Sequence, residues 1–238
     1  MNSAPHPLIG KKTNKMLTGP HTLNTLGLGF MLLLVGCSST RSAELQSAES
    51  PPAQARHEFH SMSDAEFADL KKSLLFTAED VRYLRMSRAV LEPNVEALLD
   101  VWYGFVGSNP HLLTYFSHPT TQEPNTEYLA QVRVRFRNWV LATADANFDR
   151  DWLNYQLEIG LRHHRLKKNE TDGVEAAAHI PFRHLVALHY PITTTLKPFL
   201  GEGDHSQQDI DGMYEAWRKA VLMTTILWSQ PYIAPRDF

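Results

Sequence analysis

From residue 62 onward, apolar residues recur every three to four positions, the spacing of amphipathic helices. Ser63 and Glu66 form a capping-box sequence that predicts the start of a first helix. Thr77 and Asp80 predict a second start, and Pro93 fits the first turn of a third helix. After a short helical turn at 112–116, helices are predicted over residues 126–144, 149–168 and 180–200, and from 206 onward. Without strand-like alternation, this pattern predicts an all-α domain over residues 62–238.

Residues 1–36 have a different pattern. They carry three lysines and no acidic residue, and they end in an apolar stretch at residues 23–35. That stretch is too short to span a bilayer, which needs roughly 20 residues. A basic segment followed by a short apolar one is typical of a secretory signal peptide. A plain signal anchor, or a true start at Met16 instead of Met1, remains an alternative.

Cys37 is the only cysteine of the chain, and it directly follows the apolar stretch. The sequence Leu34-Val35-Gly36-Cys37 resembles the bacterial lipoprotein box. This resemblance implies cleavage before Cys37, lipidation of its thiol and a membrane-anchored lipoprotein that faces the periplasm or the cell exterior. Ser38 after the cysteine favours the outer membrane. Residues 37–61 are rich in Ser, Ala, Gln and Pro, which predicts a flexible tether.

Composition excludes several classes of protein. The 238 residues include 23 basic and 26 acidic side chains, a net charge of −3, whereas nucleic-acid-binding domains are usually strongly basic. A mean hydropathy of −0.32 excludes a polytopic membrane protein. The single cysteine excludes an internal disulfide, a multi-cysteine zinc site and a CxxCH haem attachment.

Among the 12 histidines, the adjacent pair His163 and His164 differs from the rest. It lies near the C-terminal end of a predicted helix with an apolar, aromatic face. Periodicity does not choose between the two, and a histidine at a helix end often only caps the helix. The sequence lacks the companion ligands at i, i+4 spacing that a zinc helix would show. One apolar-flanked imidazole suits a haem, where the porphyrin supplies four further nitrogens.

Three segments resemble the protoglobins: residues 102–113 (WYGFVGSNPHLL), residues 155–165 (YQLEIGLRHHR) and the tail from Met213 to Tyr232. The resemblance extends over roughly residues 63–238. It implies a globin fold with an additional N-terminal helix, and haem b as the cofactor. It also implies binding of O2, CO and NO, and a homodimer formed through the last two long helices.

The resemblance assigns the proximal iron ligand to His163. On the opposite face it implies a pocket that lacks the usual distal histidine, because Val132 matches that place. Leu188 stands where several protoglobins have a pocket phenylalanine. The predicted haem-binding residues are His163, Trp102, Tyr103, Phe116, Phe136 and Ile159. Tyr103 and Trp102 are the candidate hydrogen-bond donors to a bound gas. As an alternative, these aromatic residues are ordinary core residues.

The expected function is therefore reversible gas binding at a haem iron, without an assigned catalytic residue. One alternative is a haem enzyme that acts on NO, nitrite or peroxide with an external reductant. Another is a gas sensor that signals through a separate partner.

Overall fold

The computed structural model describes residues 59–234 and 237–238. The predicted signal peptide at 1–36, the lipidation site Cys37 and most of the predicted tether at 37–61 lie outside the described residues. At the end of that tether, Ser61 donates from Oγ to Oδ1 of Asn154 at 2.6 Å. The carbonyl of His60 accepts from Nε2 of Gln230 at 2.6 Å. Contacts with the helical domain therefore begin before residue 62.

The described residues are α-helical and contain no β-strand beyond one isolated bridge between Ser117 and Pro124. The helices are α1 (Asp64–Ser73), α2 (Ala78–Gly107), α3 (Pro110–Leu113), α4 (Thr126–Asp145), α5 (Arg150–His163), α6 (Phe182–Ala187), α7 (His189–Leu200) and α8 (Gln207–Ser229). Two 3-10 helices, Thr114–Phe116 and Gln230–Tyr232, follow α3 and α8. The prediction of an all-α domain is confirmed. In this part of the chain, no helix has both the length and the apolar character needed to cross a membrane.

The helix starts predicted at Ser63, Asp149 and Ser206 are confirmed by their capping hydrogen bonds. Ser63 Oγ accepts from the amide of Glu66 at 3.3 Å, and the Glu66 carboxylate accepts from the amide of Ser63 at 2.9 Å. Asp149 accepts from the amide of Trp152 at 2.9 Å at the start of α5. At the start of α8, Ser206 Oγ accepts from the amide of Asp209 at 3.2 Å. Each cap satisfies an amide that the helix itself leaves free.

The predicted division at Pro93 is wrong, because α2 is a single helix of 30 residues, Ala78–Gly107, that contains this proline. Proline removes one backbone donor and crowds the preceding turn. In that turn, the side-chain amide of Asn94 donates to the carbonyl of Val90 at 2.9 Å. Both halves of α2 are buried, with Leu84 and Leu91 before Pro93 and Leu99 after it at 0% exposure. Packing along the whole helix therefore outweighs the local cost of proline.

Two further helix boundaries differ from the prediction. The helix expected over 149–168 ends at His163, because His164 is extended and the carbonyl of His163 accepts from the amide of Ile180 at 3.0 Å. The helix expected over 180–200 is divided into α6 and α7 at Leu188. Pro191 lies in the first turn of α7, where its missing N–H leaves no helical bond unmade.

Helix α8 lies at the centre of the domain and packs against α2, α5 and α7, and α4 packs against α2. Trp217 of α8 is fully buried and donates from Nε1 to Ser87 Oγ of α2 at 2.8 Å. Because α8 runs beside α5, the last turns of these two helices form one wall of the cavity described next.

Candidate functional site

A cavity of about 170 Å³ lies between α2, α4, α5 and the segments from α6 to α8. Its lining is mostly apolar and aromatic. All six of the predicted haem-binding residues line it: His163, Trp102, Tyr103, Phe116, Phe136 and Ile159. Val132 and Leu188, which the resemblance matches to a distal histidine and to a pocket phenylalanine, line the same cavity.

His163 stands at the last position of α5 and belongs to the cavity wall. Its Nδ1 lies 2.8 Å from the carbonyl oxygen of Ile159, one turn earlier. Since a carbonyl can only accept, this contact assigns the proton to Nδ1. The other ring nitrogen, Nε2, has no hydrogen-bond partner among the described residues. A free Nε2 lone pair on an imidazole anchored through Nδ1 is the usual form of a metal-ligating histidine.

Burial also favours the neutral form of this imidazole. Desolvation is the largest effect and lowers the pKa of His163. The hydrogen bond to Ile159 comes second and raises it, and the positive charges of Lys168 and Arg135 lower it by less. The ring is therefore neutral at pH 7, which is the state required to donate a lone pair to iron.

His164 has different surroundings and does not line the cavity. Its ring packs edge-on against His179 and Tyr232, each with a centroid distance of 5.0 Å. Desolvation, followed by the nearby His179, lowers the pKa of His164 to about 4. The structure thus separates the two histidines whose sequence positions left the choice open.

Trp228 of α8 supports the ring of His163 from the side. The two rings stack with a centroid distance of 5.2 Å and an interplanar angle of 16°. Trp228 is fixed in turn, because its Nε1 donates to Oε1 of the fully buried Gln156 at 2.9 Å. Gly160 permits the close approach of the two helices, since a Cβ there would lie 2.9 Å from the carbonyl oxygen of Trp228.

The wall formed by α2 and α4 carries the predicted distal residues. The ring of Phe136 packs edge-on against Trp102 at 5.6 Å and against Tyr103 at 6.5 Å. Neither the hydroxyl of Tyr103 nor the indole N–H of Trp102 has a hydrogen-bond partner among the described residues. Burial raises the pKa of Tyr103, so its hydroxyl keeps the proton and remains a donor.

Phe116 completes this aromatic lining from the 3-10 helix after α3. Its ring lies 5.9 Å from that of Tyr128 on α4. Phe136 also contacts Trp139, at 5.4 Å, and Trp139 contacts Trp228, at 5.4 Å. Aromatic rings therefore form a continuous series from the wall of Tyr103 to the wall of His163.

Three cations also line the cavity, and the sequence predicted none of them. Arg135 of α4 makes two hydrogen bonds of 2.7 Å to the carboxylate of Asp172. Arg162 donates to Glu158 at 2.8 Å. Lys168, in the segment after α5, is only 2% exposed.

Lys168 and Trp228 were missed for different reasons. Lys168 was predicted to lie on a longer α5, and nothing in its local sequence indicates burial. Trp228 belongs to the tail that resembles protoglobins, but helical spacing within α8 cannot reveal a contact with His163, 65 residues earlier in the chain.

Comparison with known proteins identifies the family. The family model described as Protoglobin matches residues 63–237. The chain belongs to the protoglobin family. Among curated proteins, no significant match to it is found.

A solved structure shares the fold of this protoglobin. The globin domain of a Geobacter sulfurreducens globin-coupled sensor superposes with a TM-score of 0.56 at 15% sequence identity. The match covers 74% of this chain and 100% of that domain. The expected globin fold is confirmed, and α1 precedes α2 at the place where the resemblance implies an additional N-terminal helix.

Globins are haem-binding proteins, and the cavity of this protoglobin has suitable chemistry. It offers one neutral imidazole with a free nitrogen, apolar and aromatic walls, and cations among its lining residues. Within residues 59–234 and 237–238, no three His, Cys, Asp or Glu side chains come together as a metal site. A single histidine suffices for a haem, because the porphyrin supplies the remaining in-plane ligands.

Proposed function

We propose that this protoglobin holds haem b through His163 and binds O2, CO and NO reversibly. The observation that carries the proposal is the half-buried, neutral imidazole of His163, whose Nε2 is unpartnered beside an aromatic cavity. When bound, the haem iron would supply an open coordination position for a diatomic gas.

On the proximal side, the residues hold the imidazole in one orientation. The carbonyl of Ile159 fixes the tautomer, and the indole of Trp228 limits rotation of the ring. Gln156 fixes that indole through a hydrogen bond, and Gly160 allows the backbone of Trp228 to approach α5 closely. A pre-oriented ligand loses little side-chain entropy when it binds the iron.

On the distal side, the residues offer donors in an otherwise apolar pocket. The hydroxyl of Tyr103 and the indole N–H of Trp102 are the groups able to donate a hydrogen bond to a bound gas, since Val132 offers none. The apolar walls limit the access of water and protons, which would slow oxidation of the ferrous iron.

Absorption spectra of two variants test the assignment of the ligand. We expect His163→Ala to lose the ordinary haem spectrum in the ferric, ferrous and ferrous-CO states, and His164→Ala to keep it. Each variant removes an imidazole that packs on an aromatic ring, His163 on Trp228 and His164 on Tyr232. Each therefore controls for the loss of packing in the other. If His164→Ala lost the spectrum while His163→Ala retained it, the assignment would be overturned.

We also propose a homodimer formed through α6, α7 and α8. Phe182, Val186 and Tyr190 are exposed apolar residues at successive turns of α6 and α7, with Tyr190 at 74% exposure. Leu222 of α8 is exposed as well. It lies near the start of α7, because His189 contacts the carbonyl of Arg218, one helical turn before Leu222, at 3.2 Å. Clustered apolar side chains on a protein surface favour association. Sedimentation should give a dimer for the wild type and a monomer for Tyr190→Asp; an unchanged dimer would contradict this interface.

Attachment to a membrane through Cys37 is a further proposal, supported by the lipoprotein-box sequence alone. Several acyl chains anchor a protein because each buried methylene contributes about 0.8 kcal/mol. We expect Cys37→Ser to move the protein from the membrane fraction to the soluble fraction and to abolish incorporation of labelled fatty acid. Equal incorporation by both proteins would exclude this residue as the site of lipidation.

A further inference from the structure

We propose that Lys168 is the carboxylate-binding residue of the cavity and pairs with a propionate of the bound haem. The inference rests on the proposed function and deepens it, because it assigns a residue to the anionic edge of the cofactor. Its starting point is an ammonium group buried in the cavity wall.

Lys168 crosses from one wall of the cavity to another. It follows α5 by five residues and is 2% exposed. Its Nζ donates to the carbonyl oxygen of Tyr115, in the 3-10 helix Thr114–Phe116, at 2.8 Å. The same Nζ lies 4.9 Å from the ring centroid of Tyr128 on α4, a cation–π contact.

These contacts leave the ammonium only partly satisfied. An ammonium has three N–H donors, and among the described residues only the Tyr115 carbonyl accepts from this one. No carboxylate lies within ion-pair distance of Lys168 in this part of the chain. Two donors and one positive charge therefore remain available in the cavity wall.

The neighbouring carboxylates do not pair with the ammonium of Lys168. Asp172 is the acidic residue whose charge acts on Lys168, but its two carboxylate oxygens are each 2.7 Å from Arg135. Glu158 is engaged by Arg162 at 2.8 Å and by Lys167 at 2.6 Å. Both other cavity cations thus have a carboxylate partner, and Lys168 has none.

Burial of an unpaired charge is costly, and a ligand of opposite charge would reduce this cost. Desolvation lowers the pKa of Lys168 to about 8, so the lysine is still mainly protonated at pH 7. An anion in the cavity would offset that desolvation. The rest of the lining is mostly apolar and aromatic, and the charges of Arg135 and Arg162 are already paired, so the fitting ligand has an apolar body and a carboxylate at one edge. Haem is such a ligand, and Lys168 would determine which edge of it faces Tyr115 and Tyr128.

The experiment compares two cofactors on three full-length proteins. Wild type, Lys168→Met and Lys167→Met are each loaded with haem or with haem dimethyl ester, in which both propionates are neutral. The rate of cofactor release to excess apomyoglobin is then measured. Lys167 is the matched control, because it is the adjacent lysine, pairs with Glu158 and does not line the cavity.

We expect Lys168→Met to release haem about 10- to 100-fold faster than wild type, the effect of losing one hydrogen bond to a charged group. The ester should leave wild type faster by a similar factor, and Lys168→Met should release both cofactors at similar rates. Lys167→Met should behave as wild type. A free carboxylate or phosphate as the natural anion would instead give equal haem release from all three proteins.

The outcomes separate this inference from the proposed function. If wild type bound haem and Lys168→Met retained the full difference between haem and its ester, the assignment of Lys168 would be wrong and haem binding would stand. If wild type bound no haem, the proposed function would fail, and this inference with it. The comparison of haem with its ester on wild type alone does not depend on folding of the variant.

Discussion

Replacing Gly160 with alanine should separate α5 from α8 at the wall that carries His163. A Cβ at this position would lie 2.9 Å from the carbonyl oxygen and 3.0 Å from the Cα of Trp228. Both atoms belong to the backbone, so rotation of a side chain cannot relieve the contact. One helix must shift instead, and Trp228 is the residue that stacks on His163.

The structure offers a matched control in Gly104. Gly160 and Gly104 each lie three residues before the last residue of their helix, but a Cβ at Gly104 would have no atom within 4 Å. Both substitutions gain up to about 1 kcal/mol of helix propensity. Only Gly160→Ala adds the cost of overpacking, about 1–3 kcal/mol.

Thermal unfolding of the two variants, followed by circular dichroism, measures this difference directly. Gly104→Ala should be more stable than wild type, and Gly160→Ala should fall below Gly104→Ala by about 2 kcal/mol. For a domain of this size, that difference corresponds to about 4–8 °C in Tm. Gly160→Ala should also release haem faster, because the support of the His163 ring moves. Equal stabilisation by both substitutions would refute the close approach of α5 and α8.

Three further predictions follow from the same contacts. Tyr103→Phe removes an unpartnered donor from the distal wall, so O2 should dissociate about 2- to 10-fold faster in stopped-flow measurements; an unchanged rate would exclude this hydroxyl as the donor. Trp217→Phe removes the bond from Nε1 to Ser87 Oγ and part of a buried ring, and should lower the free energy of unfolding in urea by about 1–3 kcal/mol; unaltered stability would show that the bond contributes nothing. Burial lowers the pKa of Lys168 from 10.5 to about 8, so between pH 8 and 10 the unfolded chain binds more protons at this site than the folded one. The haem-free protein should therefore become more stable as pH rises through this window, and the rise should be smaller in Lys168→Met; identical pH profiles would contradict the burial of the ammonium.

The two histidines show where prediction from sequence reaches its limit. His163 and His164 are neighbours on one helix end, and each has apolar residues on its own helical face. The resemblance to protoglobins assigns the iron ligand to His163, whereas helical spacing alone does not distinguish the two histidines. Packing distinguishes them, since His163 stacks on Trp228 beside the cavity while His164 contacts His179 and Tyr232.

The cations of the cavity were not predictable for a related reason. A lysine such as Lys168 usually lies on the surface, and its burial depends on the early end of α5 at His163. That end is fixed by the bond from Ile180 to the carbonyl of His163, between residues 17 positions apart. No local pattern reports such a contact.

The sequence by itself determined the helical class and the starts of the helices that have a capping side chain, because a cap such as Ser63 or Asp149 bonds an amide only three residues away. It also contained the motifs of the protoglobin family. Tertiary structure alone decided that α2 continues through Pro93, that α5 ends at His163 and that Lys168 is buried. The physical reason is that these outcomes depend on packing and hydrogen bonds between segments distant in the chain, whose free energies exceed the local preferences of single residues.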